Sequence, residues 1–411
     1  MKTFLCGCDQ GATLFFDSVS CTVCGRMVGF RPDRLEISSF DLLEAPNLWS
    51  AVGPDPGIYR QCDNYHGQQV CNWMVAAEDP NAHCRACRLN AVIPNLGPSQ
   101  HVAYWAKLEA AKRRALYTLL ALRLPVIGKQ ENPQMGLQFR FMTDKDSGSE
   151  FTVPLQGQGP IYTGHDQGDI TINVAEADDV ARTRARISLG EKYRTLLGHF
   201  RHEIGHYFWY LLVAPNARRL EQFRNLFGDE RNDYRQALDR HYQTGSPPDW
   251  QQNFISAYAT MHPWEDWAET WAHYLHMIDT LETAQNFDVH LLGTAIPSAP
   301  LPQAIRAGGQ NNRGAQPAGS SDGSGDSNLI PNADASAQNG NIQYGGGGNA
   351  DGAANSAAAL LSDWMRLAVG MNALNRSMGL QDAYPFVLTN MVREKLQYVH
   401  RVLMEECVTK G

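Results

Sequence analysis

Apolar and polar positions change period several times along the 411 residues, and each change predicts a different element. Residues 1 to about 96 carry many turn residues and only short strand-like runs. From Gln100 to Leu124 the chain is rich in Ala, Leu and Lys/Arg at helical spacing. Leu137–Met142 alternates apolar and polar as a strand does, and so does Ile170–Ala175 after a Gly-His-Asp-Gln-Gly-Asp turn. A long helix is predicted from about 189 to 212, with Leu196, Leu197, Phe200, Ile204 and Phe208 on its buried side. Further helices are expected near 217–243, 263–281, 358–377 and 389–406. In the second of these, Pro263 suits a first turn, and Trp264, Trp267, Trp271, Leu275 and Ile278 form an apolar stripe that reads as core.

Between about 300 and 357 the pattern vanishes into Gly, Asn, Ala, Ser and Asp. Such a stretch cannot bury enough surface to offset its ordering entropy, so a disordered insertion is expected. Its glycine run, Tyr344–Gly348, is no phosphate loop, because no strand precedes it and no Gly-Lys-Ser/Thr closes it.

Composition narrows the function. A length of 411 residues predicts two or three folded units, and 43% apolar residues can supply their cores. The net charge is −8, and residues 1–96 hold seven Lys or Arg against ten Asp or Glu, so a nucleic-acid partner is not expected. No apolar run approaches the roughly 20 residues of a membrane span. The first residues, Met-Lys-Thr-Phe-Leu-Cys-Gly-Cys, lack the apolar stretch of a secretory leader, and a cytoplasmic location is expected.

Eight of the nine cysteines precede residue 90. In a reducing compartment this crowding reads as metal thiolates rather than disulfides. Cys6, Cys8, Cys21 and Cys24 form one candidate set; Cys62, Cys71, Cys84 and Cys87 form the other. Four thiolates suit a closed tetrahedral zinc site with no position left for water, hence a structural one. The Cys6-x-Cys8 pair is one residue shorter than a usual knuckle. His66 or His83 as a substitute ligand, and rubredoxin-like iron, therefore stay open. Cys407 stands alone in a helix and reads as a small buried apolar residue.

The sharpest signal is His202-Glu203-Ile204-Gly205-His206. Histidines four apart on a helix project from one face, which suits two zinc ligands, and Glu203 can reach a water at the metal without ligating it. A third ligand from the same helix is closed off, because Trp209 and Leu212 stand where a metzincin needs Gly and His. Further on, Glu265 and Glu269 share a helix face beside the tryptophan stripe. Carboxylates so placed are unusual unless paired or ligating.

These features resemble the gluzincin peptidases, with His-Glu-x-x-His followed by a helix bearing Glu-x-x-x-Asp/Glu. The resemblance implies Glu265 as third zinc ligand and Glu269 as the carboxylate that orients a ligand histidine. It also implies that Tyr258, seven residues before Glu265 as in lethal-factor-like members, lies near the scissile carbonyl. The chain is similar over nearly its whole length to a family of zinc-binding metallopeptidases with an N-terminal zinc ribbon, down to Leu374-Asn-Arg-Ser-Met-Gly-Leu380 and Tyr384-Pro-Phe-Val-Leu388. The implied fold is α+β: a zinc-ribbon region over 1–96, a mainly helical zincin-like domain over 97–299, the insertion over 300–357, and the domain's C-terminal helices over 358–406. The implied activity is peptide hydrolysis by a zinc-activated water with Glu203 as general base, and the implied cofactors are one catalytic and two structural zinc ions. The strand Ile170–Ala175 is, by analogy, the edge that binds an extended peptide. The competing expectation is a non-catalytic, zinc-stabilised protein-binding scaffold, for which a base beside the metal has no use.

Overall fold

The computed structural model describes residues 2–143, 164–180, 182–183, 195–291, 293–298, 301 and 350–409. At the N-terminus, β1 (Phe4–Leu5) and β2 (Thr13–Leu14) form a hairpin. Then β3 (Met27–Arg31), β4 (Glu36–Leu42), β5 (Trp49–Val52), β6 (Ile58–Gln61) and β7 (Met74–Ala76) make an antiparallel sheet in chain order. Val28, Phe30 and Ile37 are buried on one face, against Trp73, and Phe40 is buried on the other beside Tyr59.

The chain then changes sheets. β8 (Asn90–Val92) pairs in parallel with β9 (Gln138–Met142), and the long helix α1 (Ser99–Ala121) lies between them in sequence, since parallel neighbours need a crossover. β10 (Gly164–Asp166) and β11 (Asp169–Asn173) complete a sheet in the order β10-β11-β9-β8, with β11 parallel to β9 and antiparallel to β10. The strand expected over Ile170–Ala175 is therefore interior, not an edge. It ends at Asn173, whose side chain accepts from Ala175 N at 2.9 Å and opens a 3₁₀ turn. Among the described residues the outer strands of this sheet are β10 and β8.

Six long helices follow: α2 (Leu196–Phe208), which packs on this sheet, then α3 (Ala217–Phe227), α4 (Tyr234–Thr244), α5 (Pro263–Asn286), α6 (Ala350–Ser377) and α7 (Asn390–Thr409) among the described residues. The helix expected from 189 starts later, because Thr195 is extended and its side chain caps Gly198 N at 3.0 Å. The single helix expected over 217–243 is two, broken at Gly228, where φ is +102°. Asp233 restarts the second by accepting from Gln236 N at 2.9 Å. α6 begins at Ala350, inside the expected insertion, whose residues 300 and 302–349 lie outside the described ones, as does the Cys407 side chain. No described helix is long and apolar enough to cross a membrane.

α1 joins the two sheets. Its Tyr117 ring lies 5.3 Å from Phe16 and 5.9 Å from Phe30, while the hydroxyl donates to Glu282 on α5 at 2.9 Å. Thr118 Oγ1 also reaches α5, donating to Asp279 at 2.7 Å.

Two buried histidines make this helical layer acid-sensitive. His273 meets the Tyr384 hydroxyl and His400 the Tyr274 hydroxyl, each at 2.9 Å, and burial holds both near pKa 4 against an ordinary 6.5. Below pH 6.5 the unfolded chain takes protons that the folded chain refuses. Their contribution is therefore complete above that pH and is lost as pH falls toward 4, at about 1.4 kcal/mol per pH unit for each. Thermal unfolding between pH 7.5 and 4.5 should show a shallower acid slope for His400→Gln than for wild type. Acid release of metal is common to both proteins, so identical slopes would refute the contribution of His400.

Candidate active site and metal centres

α2 brings the central motif to the sheet by burying Phe200, Ile204 and Phe208. The Phe200 ring packs 5.7 Å from Phe139 on β9, and Phe208 stacks on Trp271 of α5 at 5.0 Å. Gly205 sits where α2 crosses α5. A Cβ there would come within 3.0 Å of the Trp271 ring and 3.2 Å of the Ala268 backbone, and the Gly205 carbonyl accepts from Trp267 Nε1 at 2.8 Å. A residue without a side chain thus lets the helices approach closely enough for carboxylates on α5 to meet histidines on α2.

The start of α5 is fixed by His262, whose Nδ1 accepts from Trp264 N at 3.1 Å while Nε2 donates to Asn232 O at 3.0 Å. Pro263 takes the first turn, and the predicted core stripe follows, with Trp267, Trp271, Leu275 and Ile278 buried. On the face toward α2, Glu265 is 2% exposed. Its Oε2 lies 2.9 Å from His202 Nε2, its Oε1 lies 3.4 Å from His206 Nε2, and the two Nε2 atoms are 3.3 Å apart. Tetrahedral bonds of about 2.0 Å set neighbouring ligand atoms about 3.3 Å apart, so this donor set fits zinc. Glu269 Oε1 accepts from His202 Nδ1 at 2.7 Å, which leaves Nε2 for a metal. Burial alone would raise the Glu269 carboxyl, but the His202 hydrogen bond and charge, with His273 and Ser256, together outweigh it and hold the pKa at about 2. Burial likewise opposes charge on His202, yet its bonds to Glu265 and Glu269 push its pKa well above the usual range. The pocket therefore favours positive charge where the three donors converge.

Glu203 is 8% exposed and stands outside this donor set, its carboxyl pKa raised by burial. Tyr258, on a 3₁₀ turn just before α5, has its ring 6.0 Å from that of His202. Two neighbours were not foreseen. Tyr234, the first residue of α4, donates its hydroxyl to Glu265 Oε1 at 2.9 Å. His165 on β10 stacks on His206 at 5.6 Å, and its Nε2 accepts from Gly168 N at 3.0 Å. Burial drops its pKa to about 3, so the ring is neutral. The Gly-His-Asp-Gln-Gly-Asp turn was its only trace in the sequence.

The cysteines gather in the two predicted sets, Cys6, Cys8, Cys21 and Cys24 and then Cys62, Cys71, Cys84 and Cys87, each with its sulfurs mutually within 4.8 Å. Cys6 and Cys24 sulfurs are 3.6 Å apart, and Cys71 and Cys84 sulfurs 3.7 Å. Zinc–sulfur bonds of about 2.3 Å in a tetrahedron demand about 3.8 Å, far from the 2.0 Å or so of a disulfide. Backbone amides of Trp73 and Cys84 donate to Cys71 and Cys62 at 3.3 Å, as thiolates require. Neither alternative histidine joins a set, and His66 instead faces Gln61 at 3.3 Å. The first set is shallow, with Cys24 exposed, whereas all four members of the second are buried. Behind the second lies a buried network on α1. Glu109 takes hydrogen bonds from Trp105 at 3.1 Å, Asn90 at 2.7 Å and Lys112 at 2.9 Å, and meets Cys87 Sγ at 3.9 Å.

Two four-cysteine sets and a separate histidine-carboxylate set mark a zinc-binding protein. A sequence profile described as "Putative zinc-binding metallo-peptidase" matches residues 101–402, and a zinc-ribbon profile matches residues 3–98. The chain belongs to this metallopeptidase family. It is also similar to uncharacterized proteins of Mycobacterium tuberculosis (strain ATCC 25618 / H37Rv) and Mycobacterium bovis, each 36% identical over 405 residues, 98% of this chain and 96% of theirs. No solved structure matches the chain.

Proposed function

We propose that the chain is a gluzincin-type zinc peptidase, with a catalytic zinc on His202, His206 and Glu265 and a structural zinc in each cysteine set. The observation that carries this reading is the convergence of three donors beside Glu203, a buried carboxylate that takes no part in holding them. A metal there supplies Lewis acidity toward a peptide carbonyl and acidifies water. Glu203 accepts the proton of the attacking water and returns it to the leaving amine, two tasks favoured by a pKa raised above the ordinary carboxylate value. The Tyr258 hydroxyl donates to the carbonyl oxygen as charge develops on it. The outer edge of β10, unpaired among the described residues and beside His206, offers backbone groups to an extended peptide.

The test separates ligand from support. Glu265→Ala should strip the catalytic zinc and abolish cleavage of a peptide library. Glu269→Ala should weaken zinc by about 10- to 100-fold, the usual cost of losing a partner that orients a ligand. Metal content and cleavage are measured on the same preparations. A Glu265→Ala chain that keeps its full zinc complement would sink the ligand assignment, and loss of metal only in Glu269→Ala would reverse the two roles.

A further inference from the structure

We propose that Tyr234 is a positioning residue of the metal site, holding one oxygen of Glu265 so that the other is presented to the metal. This rests on the metallopeptidase reading above. A carboxylate has two equivalent oxygens and can turn between them or engage a cation through both. The Tyr234 hydroxyl breaks that equivalence, donating at 2.9 Å to Oε1, which is 3.4 Å from His206 Nε2, whereas Oε2 is 2.9 Å from His202 Nε2. Glu265 is buried, so its remaining lone pairs cannot turn to bulk water for partners.

The setting of Tyr234 is that of a hydroxyl carrier rather than a core residue. Of all the residues in α4, only Ala237 is fully buried, and Tyr234 itself is 36% exposed. Its ring leans on His262 at 5.2 Å and Trp264 at 6.3 Å, while the hydroxyl reaches the buried carboxylate. The starts of α4 and α5 are tied together, because His262, the cap of α5, donates to Asn232 just ahead of Tyr234. That tie fixes the first residue of α4 against the first turn of α5, where Glu265 lies. Losing the hydroxyl should therefore cost the metal-free chain little and cost the metal site much.

The experiment is chelator competition against the zinc-loaded full chain, with the cysteine-bound zinc as internal reference. Tyr234→Phe should release the catalytic zinc about 10- to 100-fold more readily than wild type. The thermal midpoint after removal of that zinc should be unchanged. Equal retention by wild type and Tyr234→Phe would overturn the proposal. So would a drop matched by lost stability of the metal-free chain. A wild-type chain that holds only cysteine-bound zinc would refute the metallopeptidase reading itself, and this inference with it. A wild-type chain that holds the further zinc no better than Tyr234→Phe refutes the inference alone.

Discussion

Glu203→Gln is expected to keep its zinc and lose turnover by roughly 10²- to 10⁴-fold, the range for removing a general acid–base group. The amide matches the carboxylate in size and can still form hydrogen bonds, so the helix and its neighbours should not move. Glu203 lies outside the three converging donors, so metal content should not fall. Under the proposed mechanism, what disappears is the group that would take a proton from water and carry it to the leaving amine. The measurement is kcat on a cleaved peptide alongside zinc content for both proteins. Wild-type turnover in Glu203→Gln would remove the mechanism, and lost zinc would show that Glu203 helps to hold the metal.

Cys84→Ser is expected to damage far more than the N-terminal region. Cys84 is 1% exposed, and its cluster abuts the buried Glu109–Lys112 pair on α1. α1 in turn holds α5 through Tyr117 and Thr118. A structural zinc can contribute on the order of 10 kcal/mol of apparent folding free energy, comparable with the roughly 5–15 kcal/mol stability of a whole domain. Loss of that zinc would leave Glu109 and Lys112 against a collapsed neighbour, and buried charges tolerate this poorly. Soluble yield, helical circular dichroism and retention of the His202/His206 zinc should all drop together. Cys24→Ser, in the shallower cluster at an exposed position, should cost less. Native helix content and normal histidine-bound zinc in Cys84→Ser would show that the two halves stand independently.

The sequence made some of this legible for a clear reason. His202 and His206, like Glu265 and Glu269, are spaced one helical turn apart, so helix geometry alone puts each pair on one face. Pro263 marked the start of α5, and the tryptophan stripe marked its core side. What could not be read was how elements meet. Alternation along Ile170–Ala175 indicated a strand but not its neighbours, and β11 proved interior. Tyr234 looked like one more position in a continuous helix, because helical periodicity does not report that Gly228 breaks the chain and turns α4 toward Glu265. Gly205 stood in the sequence only as a position inside the His202–His206 motif, and nothing there signalled that the approach of Trp271 and Ala268 depends on it.

The position of β8 bears on how this architecture can be rearranged. The zinc-ribbon match ends at residue 98 and the metallopeptidase match begins at 101, which invites a cut between them. Yet Asn90–Val92, on the ribbon side of that cut, is a strand of the sheet beneath α2, with Asn90 opposite Phe139 and bonded to Glu109. A fragment excised there would keep β9 with a raw flank, a row of unpaired amides and carbonyls ready to recruit another chain. Swapping ribbons between relatives would fail at the same seam unless the exchanged piece carried its own version of this strand. The two halves thus share a strand, and a shuffled chain would have to cross over upstream of Asn90 to keep it.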